Sequence, residues 1–335
     1  PHPAVSDTRA AVRRFLATHR TGHAVALACS GGVDSLALAA ATMHCAGRLG
    51  LTVHGLVVDH QLQPSSGAAA QAAAQALGQL GCAEVRVLPV TVDGPGGPEA
   101  AARRARYAAL RAAAPAGALV LLGHTLDDQA ETVLLGLGRG SGPRSIAGMR
   151  ELDPPWGRPL LGVRRAVTVA ACAALGLSPW ADPHNSDPRF QRVRLRTEAL
   201  PLLEDVLAGG VAEALARTAR QLQQDLDLLD EQAGALLAQA AGDPAALDVA
   251  VLDVAVLDVA ALDVAVLDVA ALAQAPAALR RRVLRRWLLD AGVAELTDAH
   301  LRAADDLIGR WSGQGAVRLP GGVEVFRAHG KLHIS

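Results

Sequence analysis

Lysine is almost missing from this chain. Of its 32 Lys and Arg residues only Lys331 is lysine, which leaves 31 arginines. A Gly-Lys-Ser/Thr phosphate loop and a Val-Ala-Ile-Lys strand are therefore excluded. Schiff-base chemistry would fall to a residue four positions from the end. Any chemistry on a triphosphate must hold phosphates with backbone amides, arginines and a metal. Cysteine is scarce too: Cys29, Cys45, Cys82 and Cys172 form no Cys-x-x-Cys pair, which argues against a disulfide framework, a zinc site or an iron–sulfur site. Uncharged apolar stretches run about a dozen residues, short of the roughly 18 that a membrane helix needs. Asp7, Arg9, Arg13 and Arg14 do not read as a signal peptide. The expectation is a cytoplasmic protein with no membrane segment.

What is present suits a packed core. Hydrophobic residues make up 51% of 335 and charged residues 19%, enough for about two domains. The net charge of −1 shows no basic tail. Residues 1–205 hold 20 arginines and 16 acids, whereas 206–335 hold 12 basic residues and 17 acids.

Four short apolar runs, at 24–29, 51–59, 85–90 and 118–122, read as buried strands. Helical patterns separate them, beginning near Asp34 and at 66, 99 and 127. This alternation predicts an α/β fold of βαβ units, a Rossmann-like parallel sheet with helices on both faces. Ligands in such sheets lie beyond the carboxyl ends of the strands, where Ser30, Asp59 and His124 are expected to converge. The character changes after about 205. Residues 211–240 are helical, with Leu222, Leu226 and Leu229 on one face. Leu-Asp-Val-Ala-Val/Ala then occurs five times, at 247–271. A period of five steps each Asp about 140° around a helix, so no face stays apolar. The repeat reads as a sequence expansion extending a surface segment. Beyond it, Val283, Leu284, Trp287 and Leu288 form an apolar stripe on a helix crowded by Arg280, Arg281, Arg282, Arg285 and Arg286. That basic face is either a solvated surface or a nucleic-acid contact. Residues 316–334 alternate like a hairpin.

Two blocks carry chemistry. Ser30-Gly31-Gly32-Val33-Asp34-Ser35 lies between a strand and a helix. Its glycines allow close approach of a phosphate, and Ser35 with the first-turn amides points donors outward. Asp34 can help hold Mg²⁺; its plainer role is a helix cap. The second block runs from Gly123-His124-Thr125 through Asp127, Asp128 and Glu131 to Gly138-Arg139-Gly140-Ser141-Gly142. Asp128 and Glu131 are three apart on one helix and share a face, so they could cradle an ammonium or merely complement the helix dipole.

The first block resembles the loop of the PP-loop ATP pyrophosphatases, which adenylate an oxygen and release pyrophosphate. With the second block, the chain resembles the tRNA(Ile)-lysidine synthase family. Glu99 through Arg103 and Arg106 to Tyr107, Asp182-Pro183-His184-Asn185, and Arg192-Val193-Arg194-Leu195-Arg196 ending in Leu200-Pro201 match the family in order. The helix at 280–288 and the terminal hairpin resemble its first C-terminal domain. The resemblance implies a catalytic domain at 1–205 and a mainly helical tRNA-binding domain at 206–335. It implies ATP, with Mg²⁺ at Asp34, as cofactors, and L-lysine and a tRNA(Ile) with a CAU anticodon as partners. Family members often dimerise, so a homodimer is compatible with it. The nucleotide would meet Ser30, Gly31, Gly32, Val33, Asp34, Ser35, Asp59, His60, Gly123 and His124. Asp34, Arg103, Asp128, Glu131 and Arg192 would be catalytic: Arg103 against phosphate or intermediate, the acidic pair at the lysine, Arg192 facing substrate. Some positions depart from the family. Thr125 stands where many members have histidine, Gln63 replaces an arginine in His60-Gln61-Leu62-Gln63, and Val193 replaces a frequent asparagine. Other readings are another PP-loop tRNA-modifying enzyme or a non-catalytic nucleic-acid-binding protein. A thiolase would want paired cysteines, and an amidotransferase a further domain.

Overall fold

The computed structural model describes residues 1–20, 22–61, 65–93, 97–140, 142–182, 187–241 and 266–335. Leu62 and Gln63, the turn residues 94–96, Ser141, Pro183-His184-Asn185 and the repeat up to 265 lie outside the described residues. The rest divides into two units, 1–222 and 223–335.

The first unit begins with α1 (Pro3–His19), a helix that the strand-helix alternation does not anticipate. Pro3 suits a first turn because its missing N–H would have no partner there, and His2 Nδ1 accepts the Ala4 amide at 3.2 Å. The expected alternation follows: β1 (Ala24–Ala28), α2 (Val33–Leu49), β2 (Thr52–Asp59), α3 (Ser66–Leu80), β3 (Glu84–Pro89), α4 (Pro98–Ala113), β4 (Leu119–Leu121) and α5 (Leu126–Arg139). Next come α6 (Pro143–Ile146), a two-strand hairpin of β5 (Leu152–Asp153) and β6 (Trp156–Gly157), and α7 (Arg165–Ala174). The unit continues through α8 (Gln191–Arg194), a wide π turn (Leu195–Ala199) and α9 (Leu200–Val206) into α10 (Val211–Ala241).

The sheet order is β3-β2-β1-β4-β6-β5, all pairs parallel except β5 with β6. The two-residue period of a strand splits its side chains between two cores. Val25, Leu27, Leu119 and Leu121 join Phe15, Leu16, Leu36 and Leu38 on one face. Ala26, Ala28, Val120 and Leu122 join Leu110 and Trp156 on the other. Because β2 and β4 flank β1, the order of addition reverses at β1. The carboxyl ends of β1 and β4 therefore form a crevice of the kind where open α/β sheets bind ligands.

In the second unit β7 (Leu267–Asp268), α11 (Val269–Ala273), α12 (Ala277–Asp290), α13 (Asp298–Gly309), β8 (Val317–Arg318), β9 (Glu324–Ala328) and β10 (Lys331–Ile334) follow in turn. The strands form an antiparallel sheet in the order β7-β10-β9-β8. The stripe of Val283, Leu284, Trp287 and Leu288 is buried as expected. The last repeat copy corrects the surface reading. Leu267 and Leu272 are fully buried and Val269 nearly so, while Asp268 Oδ1 caps α11 by accepting the Ala270 and Ala271 amides at 2.7 and 3.1 Å. Apolar residues at the first and third places of the copy enter the core, and its Asp is the N-cap. The arginines of α12 are partly spent inside the unit: Arg280 pairs with Asp305 at 2.7 Å and Arg282 with Asp230 at 3.0 Å.

Candidate active site

The loop after β1 is shaped by contacts that a side chain would disrupt. Gly31 has φ +79°, and a Cβ there would meet the Ala73 Cβ at 3.1 Å. Its carbonyl accepts the Trp180 amide at 2.9 Å, while the Cys29 amide is held by Leu56 O at 2.9 Å. Gly32 is the N-cap of α2 and offers no side chain, so the amides of the first turn keep no side-chain partner. Ser35 differs from expectation. Its hydroxyl donates back to Gly32 O at 2.8 Å and is buried, so it closes the turn instead of pointing outward. The amides and the helix dipole remain as the anion-binding feature.

Gly123, at the end of β4, lies against this turn. A Cβ at Gly123 would stand 3.1 Å from the Asp34 carbonyl carbon and the Ser35 amide. The close approach brings α5 beside α2. Thr125 caps α5 in a reciprocal box: its amide and hydroxyl both donate to Asp128 Oδ2 at 2.8 Å, and its Oγ1 accepts the Asp128 amide. At the position where many family members have histidine, this chain thus has the cap that aims Asp128. One Asp128 oxygen is spent on the cap, and Oδ1 is left for the site.

Arginines from two later segments fill that site. Arg165, the first residue of α7, donates from Nε to Asp34 Oδ2 at 2.9 Å and from Nη2 to Asp128 Oδ1 at 2.6 Å. Its Nη1 lies 3.5 Å from Glu131 Oε1. Thr168, one turn on, donates to the other Asp34 oxygen. Glu131 is fully buried and takes a forked pair from Arg196, Nε to Oε1 at 2.8 Å and Nη2 to Oε2 at 3.1 Å. Arg192, expected to face substrate, reaches Glu131 only at 4.0 Å. Arg196 sits in the π turn, where Leu200 donates to Leu195 O across five residues, an irregularity often found at functional sites.

Burial pushes the Asp34 carboxyl up, and Arg165 and Thr168 offset only part of that. Burial acts the same way on Asp128, but Arg165 and the Thr125 amide outweigh it and the net shift is down. Arg165 itself is held charged: burial opposes its charge, and Asp128 and Asp34 more than compensate.

Beside the loop, Ser30, Asp59 and His60 line a cleft of about 750 Å³, counting its open mouth. Trp180, Asp182, Arg106 and Leu110 also line it. Arg106 replaces Arg103 here. Arg103 turns to the surface, stacked 4.8 Å over the Tyr107 ring and donating to its hydroxyl at 3.3 Å. Burial disfavours the charge of Arg106, and no ion pair with a carboxylate is formed by it among the described residues. Burial likewise holds His60 and His124 neutral, with Arg106 adding to the effect at both, and each has a buried Nδ1 with no partner. In the cleft wall, the half-buried Arg106 and the unmatched His60 Nδ1 suit a polar, anionic ligand such as a nucleotide.

No group of three or more His, Cys, Asp or Glu suited to a metal occurs among the described residues. Asp34 is the carboxylate in the first turn of the phosphate loop. Its two oxygens already accept from Arg165 and Thr168, so an ion such as Mg²⁺ would take only a remaining lone pair of Asp34 and draw most of its ligands from phosphate and water.

Comparison with known proteins agrees with this geometry. Residues 6–203 match the PP-loop domain model and residues 267–333 the TilS substrate binding domain model. The chain is 58% identical over 321 residues to a tRNA(Ile)-lysidine synthase of Nocardia farcinica, covering 95% of this chain and 93% of that one. A synthase of the same name from Rhodococcus jostii is 53% identical over 337 residues, covering 99% and 96%. Among solved structures, the U34-tRNA thiolase NcsA of Methanococcus maripaludis shares the fold, with a TM-score of 0.54 at 18% identity over 66% of this chain and 80% of that one. A glycine elbow beside a carboxylate pair, on a parallel sheet, and relatives of this identity across nearly the full length lead to one assignment: the chain belongs to the tRNA(Ile)-lysidine synthase family.

Proposed function

We propose that this protein joins L-lysine to C2 of the wobble cytidine of a tRNA(Ile) bearing a CAU anticodon, using ATP, and releases AMP and pyrophosphate. The observation that carries this reading is the sharing of Arg165 between Asp34, in the phosphate loop, and Asp128 and Glu131, in the acidic pair. One crevice thus serves two half-reactions.

In the first, the C2 carbonyl oxygen attacks the α-phosphorus of ATP and pyrophosphate leaves. The carbonyl oxygen is a poor leaving group, and adenylation turns it into part of a phosphate ester. The first-turn amides of α2 and Arg106 are suited to holding the phosphates. Bound Mg²⁺, held by phosphate oxygens with Asp34, would shield their charge. In the second, the ε-amine attacks C2, the C2–O bond breaks and AMP leaves with the oxygen. Asp128 and Glu131 bind and orient the ammonium, which gives up a proton to a carboxylate or water before attack. An anticodon base is single-stranded and enters a pocket without breaking a duplex. With aromatics at 2% of the chain, RNA binding depends on arginine and shape more than on stacking. In this reading residues 1–205 are catalytic, residues 206–335 bind tRNA, and the protein works in the cytoplasm.

The test is incubation with ATP, labelled lysine and a CAU-anticodon isoleucine tRNA transcript, followed by nucleoside analysis. Lysidine should form with one AMP and one pyrophosphate per lysine. Pyrophosphate release that does not depend on the tRNA, or a different modified nucleoside, refutes the reading.

A further inference from the structure

We propose that Arg165 is a positioning residue that joins the nucleotide half of the site to the amine half, by fixing Asp34, Asp128 and Glu131 in a single array around one guanidinium. This inference rests on the lysine-ligating reading above.

Each of the three guanidinium nitrogens faces a different carboxylate. Nε meets Asp34 at 2.9 Å, Nη2 meets Asp128 at 2.6 Å, and Nη1 lies 3.5 Å from Glu131. The acids come from separate helices, α2 and α5, and Arg165 from a third, α7. A planar fork can face three acceptors at once, whereas an ammonium is a single point of charge.

The fork is itself clamped at its base. The Arg165 amide donates to Asp127 Oδ2 at 2.7 Å. Arg164 donates from Nε to the same Asp127 at 3.2 Å and from Nη1 to Glu213 at 2.7 Å. The single Thr168 hydroxyl hydrogen is shared between Arg165 O, at 2.7 Å, and Asp34, so Asp34 meets α7 at both Arg165 and Thr168. Asp127, adjacent to the acidic pair, thus anchors the segment that delivers Arg165.

Charge explains what the array is for. Three carboxylates meet two guanidiniums within 3.5 Å, Arg165 and Arg196; Arg192 stands off at 4.0 Å from Glu131 and is 36% exposed, so water screens it and the array keeps a negative excess that suits one ammonium. Without Arg165, Asp34 and Asp128 lose the cation they share in a mostly buried site. They then take up protons or move apart, and either response removes the attraction for the amine. The amides that hold phosphate are backbone groups and are not part of the array.

The test uses the full chain with Arg165→Met and Arg165→Lys. It measures KM for lysine, KM for ATP in tRNA-dependent pyrophosphate release, and Tm. In Arg165→Met the KM for lysine should rise about 100-fold, in line with unpairing a buried charge, and tRNA-dependent pyrophosphate release should fall as well, because Asp34 loses the guanidinium that fixes it. Arg165→Lys, which keeps the charge, should recover Tm but leave the lysine KM at least about ten-fold high. A mere structural pin between helices predicts otherwise: Lys would restore both KM values together with Tm. That pattern, or an unchanged lysine KM, overturns the proposal. Should Arg165→Met not fold, Arg165→Lys carries the same comparison. Failure of the parent reading shows separately, as absence of lysidine from the unaltered protein.

Discussion

Replacing Glu131 by Gln keeps the shape of the side chain and removes one charge from the acidic pair. The residue is fully buried, with Arg196 at 2.8 and 3.1 Å and Arg165 at 3.5 Å. In the unaltered site three carboxylates meet two guanidiniums within 3.5 Å, and the partly exposed Arg192 stands off at 4.0 Å from Glu131. In Glu131→Gln the negative excess of this array is lost before the substrate arrives. An ammonium about 4 Å from a carboxylate is attracted by about 4 kcal/mol at an effective dielectric of about 20. The amide dipole of glutamine and entering water recover about half of this, leaving a loss of about 2 kcal/mol, or about 30-fold in affinity. Steady-state assays should therefore show the lysine KM raised about 30-fold. Adenylated tRNA should remain detectable, because Glu131 makes no contact with the phosphate loop other than through Arg165. Arg196 is about one-third exposed, so water can solvate it and the loss of Tm should be small. An unchanged lysine KM, or adenylation that falls by the same factor as transfer, would refute the charge argument.

Three further outcomes are expected. Asp34→Ala should cut tRNA-dependent AMP formation at least about 100-fold, and normal AMP release by that variant removes Asp34 from the nucleotide step. Deleting four repeat copies, residues 247–266, should leave lysidine formation within about two-fold, whereas Leu267→Asp should unfold the second unit, since it puts a charge into a fully buried position. Circular dichroism and activity of both proteins separate these cases. His124 is held neutral in the folded chain by burial, below its ordinary value of 6.5. As pH falls below about 6.5 the unfolded chain takes a proton that the folded one refuses, so stability present above that pH is lost at up to about 1.4 kcal/mol per pH unit. His124→Gln should flatten the fall of Tm between about pH 5 and 6.5; an unaltered slope would exclude His124 as its source.

Much of this site is legible in the sequence where chemistry is local. The Ser-Gly-Gly-x-Asp-Ser turn, the strand-helix alternation and the three-residue spacing of Asp128 and Glu131 all depend on near neighbours, and the structure places them together. Arg165 and Thr168 are another matter. They meet Asp34 across 131 and 134 positions, and no spacing distinguishes one arginine among 31. Arg196 and Arg192 lie one turn apart in a motif that marks both, and only the π turn shows which one grips Glu131. Arg103 and Arg106 are separated in the same way, since both lie on α4 and the surface stacking on Tyr107 accounts for only one. Ser35 reads as an outward donor because a serine in a phosphate turn has two uses, and here the backbone takes the hydroxyl. The tandem copies share one pattern, so nothing local marks the fifth as a core element.

That fifth copy carries a consequence for how the second unit chooses its threading. The slot formed by β7 and α11 requires leucine, a capping aspartate, valine and a leucine five places on, here Leu267, Asp268, Val269 and Leu272. Every upstream copy offers the same four residues, so these four do not by themselves mark which copy is seated. Selection comes from the short exit: residues 274–276 alone separate α11 from α12, and each step back along the array would force five surplus residues into that link. The array can thus gain or lose units at its upstream side without changing which unit is seated, and the brevity of a three-residue connector keeps the folded domain single-valued.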